Sequence, residues 1–137
     1  MELVINRCYG GFGLSALAVS EYLKRKGKEC FIYSDENIGI GKLYRKTQIE
    51  NANIFSTYTT KDFGKTTTWD EIKEHVFYPG NIDREDLDLI YVVKKLGNKA
   101  NDTCSELKIV EIPDGIEFEL SEYDGLETVE EKHRSWY

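Results

Sequence analysis

The stretch MELVINRCYGGFGLS, residues 1–15, joins an apolar run at residues 3–5 to a glycine-rich turn and then to Ser15, a residue suited to cap a helix. From there Ala16, Val19 and Leu23 share one helical face, with Ala18 and Tyr22 adjoining. Lys24, Arg25 and Lys26 suit the negative end of that helix, and Gly27 is its stop. The stretch therefore reads as strand, turn and helix. A helix start leaves backbone N–H groups unpaired, which is the ordinary means of holding a phosphate. The same turn also serves to reverse the chain. Neither G-x-x-x-x-G-K-[ST] nor G-x-G-x-x-G is present, since the Gly10-Gly11-Phe12-Gly13 spacing fits neither.

Outward from this start, residues 29–34 read as a second strand, reached after a whole helix and so expected parallel to the first. Glycines at 39 and 41 interrupt the next stretch, residues 53–59 read as a strand, and residues 35–80 stand apart as a variable excursion. Thr68 and Glu71 have capping-box spacing and predict a short helix through His75, followed by a turn at Pro79-Gly80. Asp83 is expected to cap a longer helix carrying Leu89, Val93, Leu96 and Ala100. Residues 107–112 read as a central strand, and Pro113-Asp114-Gly115 as the turn of a hairpin to Ile116, Phe118 and Leu120. Asp124 and Glu127 have cap spacing, so residues 127–136 are expected to form a terminal helix. The class is α+β, or mixed α/β, in one compact domain over residues 1–137, with one sheet and three or four helices.

The bulk composition narrows the function. The chain of 137 residues is long enough for one core, and no apolar run approaches the roughly 20 residues that span a bilayer. Net charge is −7, and nine carboxylates with no Lys or Arg fall in residues 111–131, so a basic stripe for duplex nucleic acid is missing. Cys8, Cys30 and Cys104 are odd in number, widely spaced and without C-x-x-C, as for thiols in a reducing cytoplasm. Residues 1–6 lack the pattern of a signal peptide. No metal cluster or catalytic motif stands out, so no cofactor is expected.

Three groups of residues are candidates for binding a ligand. Arg7, Tyr9, Gly10, Gly11 and Phe12 combine a cation, backbone donors and two aromatic faces, although both rings also suit a hydrophobic plug. Gly97, Asn98 and Asn101 place a missing side chain one helical turn from an amide able to read a base or ribose; a helix stop followed by polar loop residues is the plainer reading. His133 and Arg134 supply a hydrogen-bond partner and a cation near the end of the chain. Trp69 and Trp136 suit core or interface positions. Cys8 or a carboxylate of residues 111–131 would serve a small nucleotide hydrolase or transferase, the alternative to a simple binder.

The segments VINRCYGGFGLS (4–15), LKIVEIPDGIEFELSEYDG (107–125) and EKHRSW (131–136) resemble a family of phage and prophage proteins, the Thoeris anti-defence 1 proteins. The likeness covers roughly residues 3–26 and 83–136, and residues 35–80 have no counterpart in it. The resemblance implies a sponge rather than an enzyme. Such proteins sequester, without cleaving, cyclic ADP-ribose isomers such as glycocyclic ADP-ribose, the signals of bacterial Thoeris immunity. It further implies a homo-oligomer, at least a dimer, with pockets where subunits meet, acting in the cytoplasm of the infected host. Some members also bind cyclic oligonucleotides.

Overall fold

The computed structural model describes residues 1–35 and 43–131. Residues 2–6 form strand β1 (Glu2–Asn6), whose last four residues are all buried. Its partner is β7 (Leu107–Glu111), antiparallel, with Val4 opposite Ile109. Between them in the chain lie helix α1 (Ala16–Arg25), the strands β2 (Phe31–Asp35), β3 (Leu43–Thr47), β4 (Thr57–Thr59), β5 (Thr66–Thr68) and β6 (Val76–Phe77), and the helices α2 (Trp69–Ile72) and α3 (Leu87–Leu96). A last hairpin pairs β8 (Phe118–Tyr123) with β9 (Leu126–Glu131). The chain combines helices with strands, and every strand pair among the described residues is antiparallel, so the class is α+β.

The expected single sheet is divided into a five-stranded sheet ordered β5-β3-β2-β4-β6 and two separate ribbons, β1-β7 and β8-β9. β2 does not lie parallel to β1. It pairs antiparallel with β3 and β4, its near neighbours in sequence, at smaller closure cost than a distant partner requires. The excursion at 43–80 thus supplies four of the five strands of the main sheet.

Both halves meet in one core. Val4, Val19, Leu23 and the α3 residues Leu89, Val92 and Val93 pack with Ile32 and Tyr58 of the sheet. A second cluster, Tyr33, Tyr44 and Ile72, lies against Phe31, Phe63 and Trp69. Trp69 is a packing residue, its ring 6.2 Å from that of Tyr44.

Helix ends correct several expectations. α1 is capped as expected, since the Ser15 hydroxyl accepts from the Ala18 N–H at 3.1 Å. Asp86, not Asp83, caps α3, accepting from the N–H groups of Asp88 and Leu89; Asp83 instead accepts from Glu85 in the preceding turn. α2 ends at Ile72 rather than running through His75, and the Thr68 hydroxyl reaches the Glu71 side chain at 3.2 Å instead of capping the backbone. The hairpin expected at residues 113–115 is absent: β8 pairs with β9 instead of β7, and the terminal amine of Met1 holds Ile112 and Asp114 beside β1. Nor do residues 127–131 form a helix. Asp124 and Gly125 both have positive φ, +53° and +90°, the conformation of a tight two-residue β-turn, and β9 follows it.

Asp86 also receives the Tyr22 hydroxyl at 2.7 Å and the Lys26 ammonium at 3.2 Å. Burial pushes its carboxyl up, but the hydrogen bonds from Tyr22 and the Asp88 N–H outweigh that and hold it below its ordinary value. A carboxylate lowered by folding contributes stability above its unfolded pKa of about 3.9 and loses it as pH falls through the folded value. Asp86→Asn should therefore flatten the loss of stability below about pH 4. Urea unfolding between pH 3 and 7 checks this; an unchanged slope would remove Asp86 from the acid response.

Candidate functional site

The start of the chain is held by Asn6, which is fully buried. Its Nδ2 donates to the carbonyls of Cys8 and Gly125, each at 2.7 Å, while its Oδ1 accepts from the Glu106 N–H. The Asn6 N–H donates to the buried Glu127 carboxylate at 2.7 Å, and Arg84 grips the same carboxylate with two nitrogens, Nη2 at 2.9 Å from Oε2. The Arg84 guanidinium lies 3.5 Å above the Phe12 ring. One asparagine and one ion pair thus tie β1, the glycine turn and the β8-β9 hairpin together.

That arrangement decides what the glycines do. A Cβ at Gly10 would fall on the Cys104 carbonyl, and one at Gly125 would strike the Gly11 nitrogen. A Cβ at Gly13 would collide with the Asp102 carboxylate. The turn is packed between the 102–105 loop and the hairpin tip, so the close approach its glycines permit is to the protein's own chain. Gly11 differs, having φ +96° and open space around it. Arg7 donates from its guanidinium to the Glu127 carbonyl at 2.8 Å, and Tyr9 stands 65% exposed beside the turn.

The other candidates separate. Gly97 caps α3 at φ +57°, and Gly97–Ala100 is a 3-10 turn, so Gly97 and Asn101 do not share an α-helical face. Asn98 is exposed. Asn101 accepts from the Leu107 N–H at 2.8 Å through its Oδ1. His133 and Arg134 lie outside the described residues. Of the cysteines, Cys30 is pushed up to about 11 by burial, which suits packing rather than nucleophilic attack. His75, the histidine among the described residues, faces the Phe63 ring at 5.3 Å.

Just past the turn, the start of α1 borders a cleft in two lobes. The first, about 310 Å³, includes Ser15, Ala16, Leu17, Asn53, Tyr58 and Asn101 in its wall. The second, about 240 Å³, runs along Phe12, Gly13, Thr57 and Tyr78, and both lobes share Leu14, Ile54, Tyr58 and Asp102. Of the ten expected site residues, Phe12 and Asn101 line this cleft; Arg7, Tyr9, Gly10, Gly11, Gly97 and Asn98 line neither lobe.

The cleft is rich in unused donors. Ala16 and Leu17, opening α1, have N–H groups with no carbonyl one turn back. Asn53 and Asn101 spend their Oδ1 atoms on the N–H groups of Phe55 and Leu107, and neither amide NH₂ has a hydrogen-bond partner among the described residues. Tyr58 is only 7% exposed, and its hydroxyl, which has no hydrogen-bond partner among the described residues, is the part that solvent reaches; the buried polar atom without a partner among those residues is instead Thr67 Oγ1. Burial, with the fields of Cys30 and Asp102, pushes the Tyr58 phenol up to about 12, so it stays a neutral donor. Among the described residues, Asp102 is the charged residue in either wall, and no Lys or Arg of those residues joins it there.

Sequence reasoning missed Tyr58, Asn53 and Asp102. A broader depression beneath Met1, Leu87 and Ile90 is rimmed by Glu2, Glu85 and Glu111, which would repel an anionic ligand. No protein-family model, curated protein or solved structure matches the chain. No helix among the described residues is long and apolar enough to cross a membrane.

Two substitutions separate the corner from the cleft. Gly10→Ala should cost about 3 kcal/mol by overpacking, and Gly11→Ala about 1 kcal/mol through its positive φ. Neither should change ligand affinity of the folded fraction. Thermal unfolding paired with binding titration measures both, and lost affinity at full stability would return the turn to the ligand site.

Proposed function

We propose that the protein is a non-catalytic binder that sequesters a cyclic ADP-ribose isomer, glycocyclic ADP-ribose, and so silences a bacterial Thoeris defence signal. The observation that carries the reading is the two-lobed cleft at the mouth of α1, whose wall holds the N–H groups that open the helix and the solvent-reached hydroxyl of the otherwise buried Tyr58. The first lobe, about 310 Å³, is of the size at which small-molecule sites begin, and the second extends it. The resemblance of residues 4–15 and 107–136 to Thoeris anti-defence 1 proteins supplies the ligand class.

A sponge must bind well below the signalling concentration, and nanomolar affinity corresponds to about −12 kcal/mol. Apolar walls and aimed donors contribute to the base and ribose portions. The diphosphate finds no Lys or Arg in the cleft wall among the described residues and points out of its mouth. There a second copy, in a homo-oligomer of at least two chains, supplies the remaining contacts. The activity belongs to the host cytoplasm, where the signal is made.

Titration with glycocyclic ADP-ribose should show saturable, tight binding, and ligand recovered after denaturing the protein should be intact. Thr103→Trp, at an exposed position in the first lobe, should fill the cleft and weaken binding at least tenfold while leaving the melting temperature unchanged. Light scattering should show an oligomer. Recovery of a cleaved product would make the protein an enzyme, and no binding at micromolar ligand would remove the sponge.

A further inference from the structure

The depression between the end of the β1-β7 ribbon and the start of α3 shares no residue with the cleft, and at about 790 Å³ it is larger than either of the cleft's lobes. Its floor is apolar. Ile90 is buried there, whereas Leu87, the first residue of α3, stands 81% exposed in a wall that Met1 shares. The rim is acidic: Glu2 and Glu111 face each other across the ribbon, and Glu85 lies two residues before α3. Glu2 is paired with the Lys94 ammonium at 2.7 Å, and the terminal amine of Met1 is held by Asp114. Glu85 and Glu111 have no ion-pair partner among the described residues, so two carboxylates stand unneutralised in the wall that holds an exposed leucine.

That combination rules out most occupants. A phosphate, a nucleic acid or an anionic membrane would meet like charge. No group of three or more His, Cys, Asp or Glu side chains among the described residues is placed to hold a metal ion, so the three carboxylates do not form a cation site. A second copy is disfavoured as well. A two-fold contact sets a patch against itself, which would bring two acidic rims together between chains of net charge −7. What remains is a partner of opposite charge with an apolar projection. We propose that this depression docks a basic amphipathic segment of a different protein, which seats its apolar side chains on Leu87, Ile90 and Met1 and sets its Lys or Arg side chains against Glu85 and Glu111. An amphipathic helix in a groove is anchored by apolar residues about one turn apart, and charges around the anchor steer encounter and fix register. The site is independent of the sponge reading, since the two hollows have no residue in common.

The probe is a fluorescently labelled synthetic helix of Leu and Lys in amphipathic order, titrated with the full chain and followed by anisotropy. The salt is set at about 150 mM, where charges more than about 8 Å apart are largely screened. The peptide should bind saturably, one per chain, while analogues with Glu in place of Lys, or Ser in place of Leu, should not. The double variant Glu85→Lys/Glu111→Lys should weaken binding about tenfold or more. Leu87→Ser should weaken it several-fold with an unchanged melting temperature, because that side chain is already in water. Glu119→Lys/Glu130→Lys, in the exposed β8-β9 ribbon, should leave it nearly unchanged. Equal weakening by the ribbon variant would reduce the binding to net charge and overturn the proposal. So would unaltered affinity in Leu87→Ser, or no binding at submillimolar protein. A Leu87→Ser variant that changed the oligomeric state would assign the depression to a second copy, which also overturns it.

Discussion

The buried contact between Arg84 and Glu127, with Asn6 wedged beside it, is the constraint on which the rest of the structure depends. The two charges are largely out of water, with side-chain exposures of 14% and 9%. Each is stabilised by the other and by backbone groups around it, and Arg84 also by the Phe12 ring beneath its guanidinium. Removing one partner would strand a buried charge, at a cost of about 3–5 kcal/mol. The pair fixes the β8-β9 hairpin against β1, because Glu127 belongs to β9 and Arg84 also reaches the Val4 carbonyl. The carboxylates crowded into residues 111–131 therefore include one with an internal role, while Glu119 and Glu130 face each other in the exposed ribbon.

From that clamp the geometry of the glycine turn follows. Asn6 binds the carbonyls of Cys8 and Gly125 with one amide nitrogen, which brings the turn and the hairpin tip too close for a side chain at Gly125, while the 102–105 loop leaves no room for one at Gly10. The turn then delivers Leu14 to a bridge with Asn101 and Ser15 to the carbonyl of Lys99, setting the start of α1 against the 101–105 loop. The cleft lies on the far side of that contact. The glycines shape it indirectly, with Gly13 making room for the carboxylate of Asp102.

Local chemistry made much of the fold legible in the sequence. The Ser15 cap and Gly27 stop predicted α1, and the spacing of Leu89 and Val93 predicted α3. What local chemistry could not carry was pairing. β1 and β7 are separated by about a hundred residues, and nothing in either strand names its partner. Asp124-Gly125 is a hairpin signal that cap spacing with Glu127 obscured, so β9 was read as a helix. The candidate site suffered for a related reason: its wall draws on residues 49–58 and 101–103, distant in sequence and without a motif. Phe12 and Asn101 were found because they border the conspicuous turn and helix end. Tyr58 and Asp102 become functional candidates only once the fold brings their distant segments into the wall of one cleft.

The central claim is that ligand enters the cleft and leaves the glycine corner untouched. Amide chemical-shift mapping of the isotope-labelled protein, titrated with glycocyclic ADP-ribose, tests this most directly. The account predicts perturbations at Ala16, Leu17, Asn53 to Tyr58 and Asn101 to Thr103, with Tyr9, Gly10 and Gly11 little changed. Perturbations confined to Tyr9, Gly10 and Gly11, with the cleft silent, would contradict it.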